Sequence, residues 1–198
     1  MSANRTIDFF EAQFRSQAAF HDGAPSGFEE LALPFVTGKV LDLACGLGNL
    51  SLAAARRGCE VTAVDASPTA IAHVSAMARD ESLPVKAIRA DLDDYGFSGP
   101  FDTVVAIGIL MFFQRDAALA LLDRIQRAVR PGGCAALTVL LEGTTFLRPF
   151  DPDRAHLFAP GELERAFAGW ETLVSSSGEA PSPDGTVRRF TTLVARKL

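Results

Sequence analysis

From residue 39 to residue 140 the chain alternates short runs rich in Val, Leu and Ile with stretches whose apolar residues recur at helical spacing. That alternation admits few folds. Residues 39–44, 60–64, 85–89, 102–107 and 134–140 read as largely buried strands. Residues 49–57, 68–79 and 115–129 read as helices, the last with Leu119, Leu122, Ile125 and Val129 on one face. Strand and helix in turn require right-handed crossovers and a parallel sheet covered on both sides, an α/β fold of the Rossmann-like kind. Ser67 before Pro68 suits a helix cap, and Arg130-Pro131-Gly132-Gly133 suits a stop between the third helix and its strand.

The two ends depart from this rhythm. Residues 7–20 form an amphipathic pattern anchored by Phe9, Phe10, Phe14 and Phe20, and residues 161–168 read as a last helix. Residues 170–175 and 189–195 read as two strands, predicting an antiparallel hairpin at the sheet edge, with residues 175–184 as a mobile loop between them.

With 198 residues, 48% of them hydrophobic, the chain is sized for one domain. Its three cysteines are widely spaced in apolar stretches, which suggests neither a disulfide framework nor a metal site and fits a reducing cytoplasm. Charged residues interrupt the first stretch, so no signal peptide or membrane span is expected. A net charge of -5 argues against phosphate-backbone binding, hence against a nucleic-acid partner, and points to a small molecule without an obligate protein partner.

The chemistry concentrates where the first strand meets its helix, in VLDLACGLGNLS. In open α/β sheets the ligand lies beyond the carboxyl ends of the strands. Gly46 and Gly48 permit a sharp turn and a close backbone approach, and their amides with the helix terminus are expected to face an anionic group. Taken alone, such a turn is an ordinary strand-to-helix connection. Two carboxylates at successive strand ends add to it. Asp65 follows Gly48 at about the distance where an acid meets a ribose diol, and Asp91 ends the third strand where it would accept from an adenine amino group. A dinucleotide site would place Gly or Ala where Ser51 stands. Asp42 near the turn would repel a pyrophosphate but suits a ligand carrying an ammonium and a sulfonium centre.

At these residues the sequence resembles the class I S-adenosylmethionine-dependent methyltransferases, through VLDLACGLGNL, VTAVDASP, ADL, FDTVVAIG and VRPGG in the usual order. The resemblance implies a seven-stranded, mostly parallel sheet with a C-terminal antiparallel hairpin, and S-adenosyl-L-methionine as cofactor. It also implies that Asp42, Ala44, Gly46 and Gly48 line the methionine part, Asp65 and Ala66 hold the ribose, Asp91 and Leu92 frame the adenine, and Ile107 packs nearby. A narrower similarity, to the tellurite-resistance methyltransferases, rests on GILMFF, FAPGELERAFAGWE and RRFTTLVARK. Where that family has a His-Arg pair after Gly-Glu-Leu, this chain reads Gly178-Glu179-Ala180-Pro181-Ser182, so the similarity carries less about the acceptor than about the cofactor. The expected organisation is one domain: a helical cap over 1–38, a cofactor-binding core over 39–140, and a lid loop, last helix and hairpin over 141–198.

Methyl transfer from a sulfonium needs an aligned lone pair about 3–3.5 Å from the methyl carbon, and a base only if the nucleophile arrives protonated. A soft chalcogen or thiol acceptor would therefore need little beyond positioning. An oxygen or nitrogen of a small metabolite, or cofactor binding without catalysis, are the other expectations. No residue stands out as the catalytic base. Residues 142–160 form a long loop read as a lid, with Phe146, Phe150 and Phe158 closing on an apolar pocket and Arg148 or Arg154 attracting an anion. Arg15, Phe112, Arg148 and His156 are the acceptor-side candidates.

Overall fold

The computed structural model describes residues 4–198 apart from Asp22, Ser26 and Pro183. Seven strands form one sheet in the order β3-β2-β1-β4-β5-β7-β6. They are β1 (Lys39–Leu43), β2 (Glu60–Asp65), β3 (Val85–Arg89), β4 (Phe101–Ile107), β5 (Val129–Leu140), β6 (Glu171–Pro181) and β7 (Val187–Arg196). Strands β1 to β5 are parallel, while β7 runs antiparallel to both β5 and β6. The helices are α1 (Arg5–Gln17), α2 (Phe28–Ala32), α3 (Asn49–Arg56), α4 (Pro68–Asp80), α5 (Arg115–Ala128) and α6 (Glu162–Ala166).

The period of two along each central strand feeds two cores. Val104 and Ala106 of β4, with Leu137 and Val139 of β5, pack with Leu121, Leu122 and Ile125 of α5. Between them Val105 and Ala136 point the other way, into a cluster with Leu50 and Ala54 of α3 and Val74 of α4. This explains why the strands read as continuous apolar runs. On α5 the buried face is Ala118, Leu121, Leu122, Ile125 and Ala128, and Leu119 lies beside it, partly exposed.

Three sequence expectations change. The stretch expected to stop the third helix is the start of β5, because Lys197 caps the helix with its ammonium on the Gln126 and Val129 carbonyls and pairs its backbone with Gly132 and Gly133. The expected mobile loop at 175–184 is mostly strand. Register pairs run from Ser175↔Leu193 to Pro181↔Val187, with Ser177 and Thr191 hydroxyls 2.6 Å apart and Arg189 2.8 Å from Glu179. Cross-strand pairing overrides the weak β propensity of the serines and leaves only a short connection. Phe20 does not anchor α1: the helix ends at Gln17 and Phe20 is 91% exposed.

Among the described residues no helix is long and apolar enough to cross a membrane.

Candidate active site

Sheet order reverses between β1 and β4, so the chain leaves their carboxyl ends in opposite directions and opens a crevice there. Ala44, Gly46 and Gly48 form the turn with φ of 58°, 55° and 84°. Gly48 is required by packing, since a Cβ there would stand 2.6 Å from Val74 Cγ2. The two glycine amides are spent inside the protein. Gly46 donates to Asp65 Oδ2 at 2.9 Å and Gly48 to the Cys45 carbonyl at 3.0 Å. The expectation that they face an anionic ligand group is therefore corrected: the turn fixes a carboxylate of its own.

Asp65 also accepts from the Ser67 amide at 2.8 Å and is 8% exposed. Burial raises its pKa, the amides of Ser67, Gly46 and Ala66 oppose that rise, and Glu11 adds to it. Behind the turn, Asp42 is buried and accepts from Ser51 Oγ at 2.6 Å, which gives the serine at the third motif position a purpose. Burial carries Asp42 up to about 7, with Ser51 resisting and Glu29 and Asp65 contributing.

A cavity of about 290 Å³ opens here. Ala44, Gly46, Asp65, Ala66, Asp91, Leu92, Ile107 and Phe112 line it, whereas Asp42 and Gly48 stand behind its wall. Asp91 at the end of β3 uses one oxygen on the Asp93 amide at 3.1 Å. Gln17, His21, Glu29 and Asn49 add a polar group to the lining, of which sequence reasoning missed the last three. His21 and Glu29 both engage the Asn49 side chain. They come from the segment before the sheet, whose position depends on tertiary contacts.

Helix α1 covers this cavity. Phe10 and Phe14 line it, and the Phe14 ring lies so near that a Cβ on Gly46 would be 3.3 Å from it. Glu11 fastens the helix, accepting from Ser67 Oγ at 2.5 Å, Thr69 Oγ1 at 2.7 Å and Arg15 Nε at 2.7 Å. Burial alone would push this carboxyl up, but Ser67, Thr69 and Arg15 together hold it at about 2, below its ordinary 4.5. The contribution is thus complete above pH 4.5 and fades as pH falls towards 2. Glu11→Gln is expected to speed amide exchange in α1 about tenfold, consistent with loss of one charged hydrogen bond. Unchanged exchange in α1 would remove the fastening role.

A second cavity of about 420 Å³ adjoins the first. Phe10, Ile107, Gly108 and Phe112 line both and form the wall between them. Its other side carries Phe28, Phe146, Phe190 and Arg188. Because β7 is antiparallel, its beginning lies at the same end of the sheet as the ends of β4 and β5, which brings Arg188 and Phe190 there. Their spacing of two along one strand was the available signal, but the direction of β7 was needed to use it.

The acceptor-side candidates divide accordingly. Phe112 stands between the cavities, while Arg15, Arg148 and His156 line neither. Arg15 is an exposed partner of Glu11, and Arg148 is on the surface. His156 packs on Phe158 with centroids 4.6 Å apart, and burial lowers its pKa, with Glu162 opposing and Arg115 adding to the shift. Arg154 pairs with Asp93 at 2.6 Å beside the first cavity. Of the three loop phenylalanines only Phe146 faces an apolar pocket; Phe158 is fully buried in the α5 core, and Phe150 backs Phe112. The lid expectation is corrected for those two.

Sheet order and crevice define a protein of the class I S-adenosylmethionine-dependent methyltransferase fold, and a methyltransferase-domain family model matches residues 40–133. Within that class the chain is close to the tellurite-resistance methyltransferases. It is 27% identical over 165 residues to the probable S-adenosyl-L-methionine-dependent methyltransferase TehB of Haemophilus influenzae, across 80% of this chain and 57% of that protein. It is 30% identical over 165 residues to hemagglutinin 1 of Eikenella corrodens, across 80% of this chain and 54% of that protein. The chain thus spans little more than half the length of these curated relatives. The solved structure of TehB from Haemophilus influenzae superposes with a TM-score of 0.77 at 22% identity, covering 98% of this chain and 67% of that one. A structure described for the conversion of a disulfide bond into a thioacetal group during echinomycin biosynthesis gives 0.68 at 26% identity, covering 96% and 91%.

Proposed function

We propose that this protein transfers a methyl group from S-adenosylmethionine to a small molecule held in the second cavity, and that the acceptor is a soft chalcogen or thiolate nucleophile. The observation that carries the reading is the shared wall of Phe10, Ile107, Gly108 and Phe112 between a polar and an aromatic cavity. The first cavity has the chemistry for the cofactor: a pinned carboxylate at Asp65 for vicinal hydroxyls, Asp91 and Leu92 for a purine edge, and Gln17, His21 and Asn49 for an amino-acid end. When bound, S-adenosylmethionine supplies an electrophilic methyl group on a sulfonium.

The chain's own part in the transfer is to position and to exclude water. Among the described residues lining the second cavity there is no carboxylate, His, Lys, Cys or Tyr, so nothing there takes a proton. A nucleophile must enter with its lone pair already free, as a thiolate does. The cavity residues would hold such a sulfur in line with the methyl group that the cofactor supplies, and no protein group would have to take a proton. The likeness to the echinomycin protein, where sulfur is the reacting element, supports this acceptor. Three free thiols at Cys45, Cys59 and Cys134 suit the reducing cytoplasm included in the proposal. The described residues between 4 and 38 serve as the cap of a single domain.

The test is S-adenosylhomocysteine release with tellurite, selenite, small thiols, and metabolite alcohols and amines. Turnover is expected with a chalcogen or thiol. Turnover confined to alcohols or amines would replace the acceptor, and cofactor binding without turnover on the whole panel would mean a binding module.

A further inference from the structure

The second cavity holds more information than its lack of a base. Its volume of about 420 Å³ falls in the range of sites for organic ligands, far beyond what an inorganic oxyanion fills. Around it stand the rings of Phe28, Phe146, Phe190 and Phe112, with Phe28 and Phe190 edge to face at 4.6 Å. Among the described residues lining it, one cation reaches into this setting. Arg188 lies over the Phe146 ring at 5.7 Å, and its Nε is buried with no hydrogen-bond partner among the described residues. The adjacent Arg189 points elsewhere and pairs with Glu179, so the only described carboxylate of β6 beside this stretch is already taken. A guanidinium N–H withdrawn from water among aromatic faces is costly unless an anion completes it. Planar forks of this kind favour carboxylate-like groups. Ala180, rather than a polar residue, lines the cavity where β6 approaches it, leaving Arg188 as the recognising charge.

We propose that the second cavity takes an organic acid with an aromatic or apolar body, whose carboxylate-like group, separate from the nucleophilic atom, is received by Arg188 while the body lies among the phenylalanines. The inference rests on the reading of that cavity as the acceptor site and specifies its substrate class. It makes Arg188 a specificity-determining residue that touches the acceptor at a point away from the methyl-accepting atom.

The experiment is titration calorimetry of the full chain saturated with S-adenosylhomocysteine, using matched pairs: 3-phenylpropionate against 3-phenylpropionamide, and 2-naphthoate against 2-naphthamide. Inorganic sulfate is the small-anion control. At least a tenfold preference for the carboxylate is expected in one pair or both, falling to within twofold in Arg188→Gln and largely retained in Arg188→Lys. Equal binding of acid and amide, preference surviving Arg188→Gln, or no binding by any aryl acid would overturn it. Sulfate binding as tightly as the aryl acids would overturn the organic body. S-adenosylmethionine affinity, measured alongside, is expected to stay unchanged in both variants. If the wild-type protein fails to bind S-adenosylmethionine the proposed function falls; if it binds without discriminating acid from amide, only the present inference falls.

Discussion

Asp65→Ala is expected to weaken S-adenosylmethionine binding about a hundredfold, the equivalent of losing two hydrogen bonds to a charged acceptor at the low end of about 1.5 kcal/mol each. The size follows from preorganisation. The Gly46 and Ser67 amides hold one oxygen each at 2.9 and 2.8 Å, so the carboxylate does not have to be ordered when hydroxyls arrive. Truncation also strands those amides in a site where the residue is 8% exposed, which costs the fold as well as the ligand. Thermal unfolding therefore accompanies the titration, and affinity is compared only where the variant is folded. Asp65→Asn serves as the second variant: it keeps an acceptor but sets its amide against one backbone N–H, and an intermediate loss is expected. Affinity within twofold of wild type for folded Asp65→Ala would remove the ribose assignment.

How far the sequence reached depended on whether an element was determined locally. Ser67 was legible as a cap because the signal lies within one turn, and its hydroxyl does accept from the Ala70 amide at 3.0 Å. Strands β1, β2 and β4 were legible because burial on both faces leaves a continuous apolar run. The β6 serines were not, since their pairing depends on β7 and not on their own propensity. Phe158 looked like a lid residue from its loop, yet its backbone bonds to Leu140 and carries its ring into the α5 core. The same limit governs the site. Asp65, Asp91 and the glycine turn lie at strand ends, where sheet topology alone brings them together. Arg188, Phe28 and Phe190 meet only after α1, α2 and β7 have all been placed, and no spacing in the sequence encodes that meeting.

Asp42 provides the second large effect, a dependence of cofactor affinity on pH. In the folded chain its carboxyl is pushed by burial to about 7 from an ordinary 3.8, against Ser51 and with Glu29 and Asp65 adding to it. Between those values the folded state holds a proton that the unfolded state has released, so this group lowers stability as pH rises from 3.8 to about 7. A ligand bearing an ammonium and a sulfonium reverses that preference by favouring the ionised form. Asp42 does not line the cavity, but its charge reaches the turn that does: after burial, Asp42 and then Asp65 are what drive the Cys45 thiol up. Binding below pH 7 must then expel the Asp42 proton, and affinity for S-adenosylmethionine should climb with pH by at most about tenfold per unit before flattening near 7. Calorimetry in buffers of different ionisation enthalpy reads the released proton directly. Asp42→Asn retains the bond from Ser51 and removes the titration, so it should abolish both the slope and the buffer dependence. A slope that persists in Asp42→Asn would assign the linkage to another group, and a flat profile in the wild type would mean that the carboxylate behind the glycine turn does not sense the cofactor's charge.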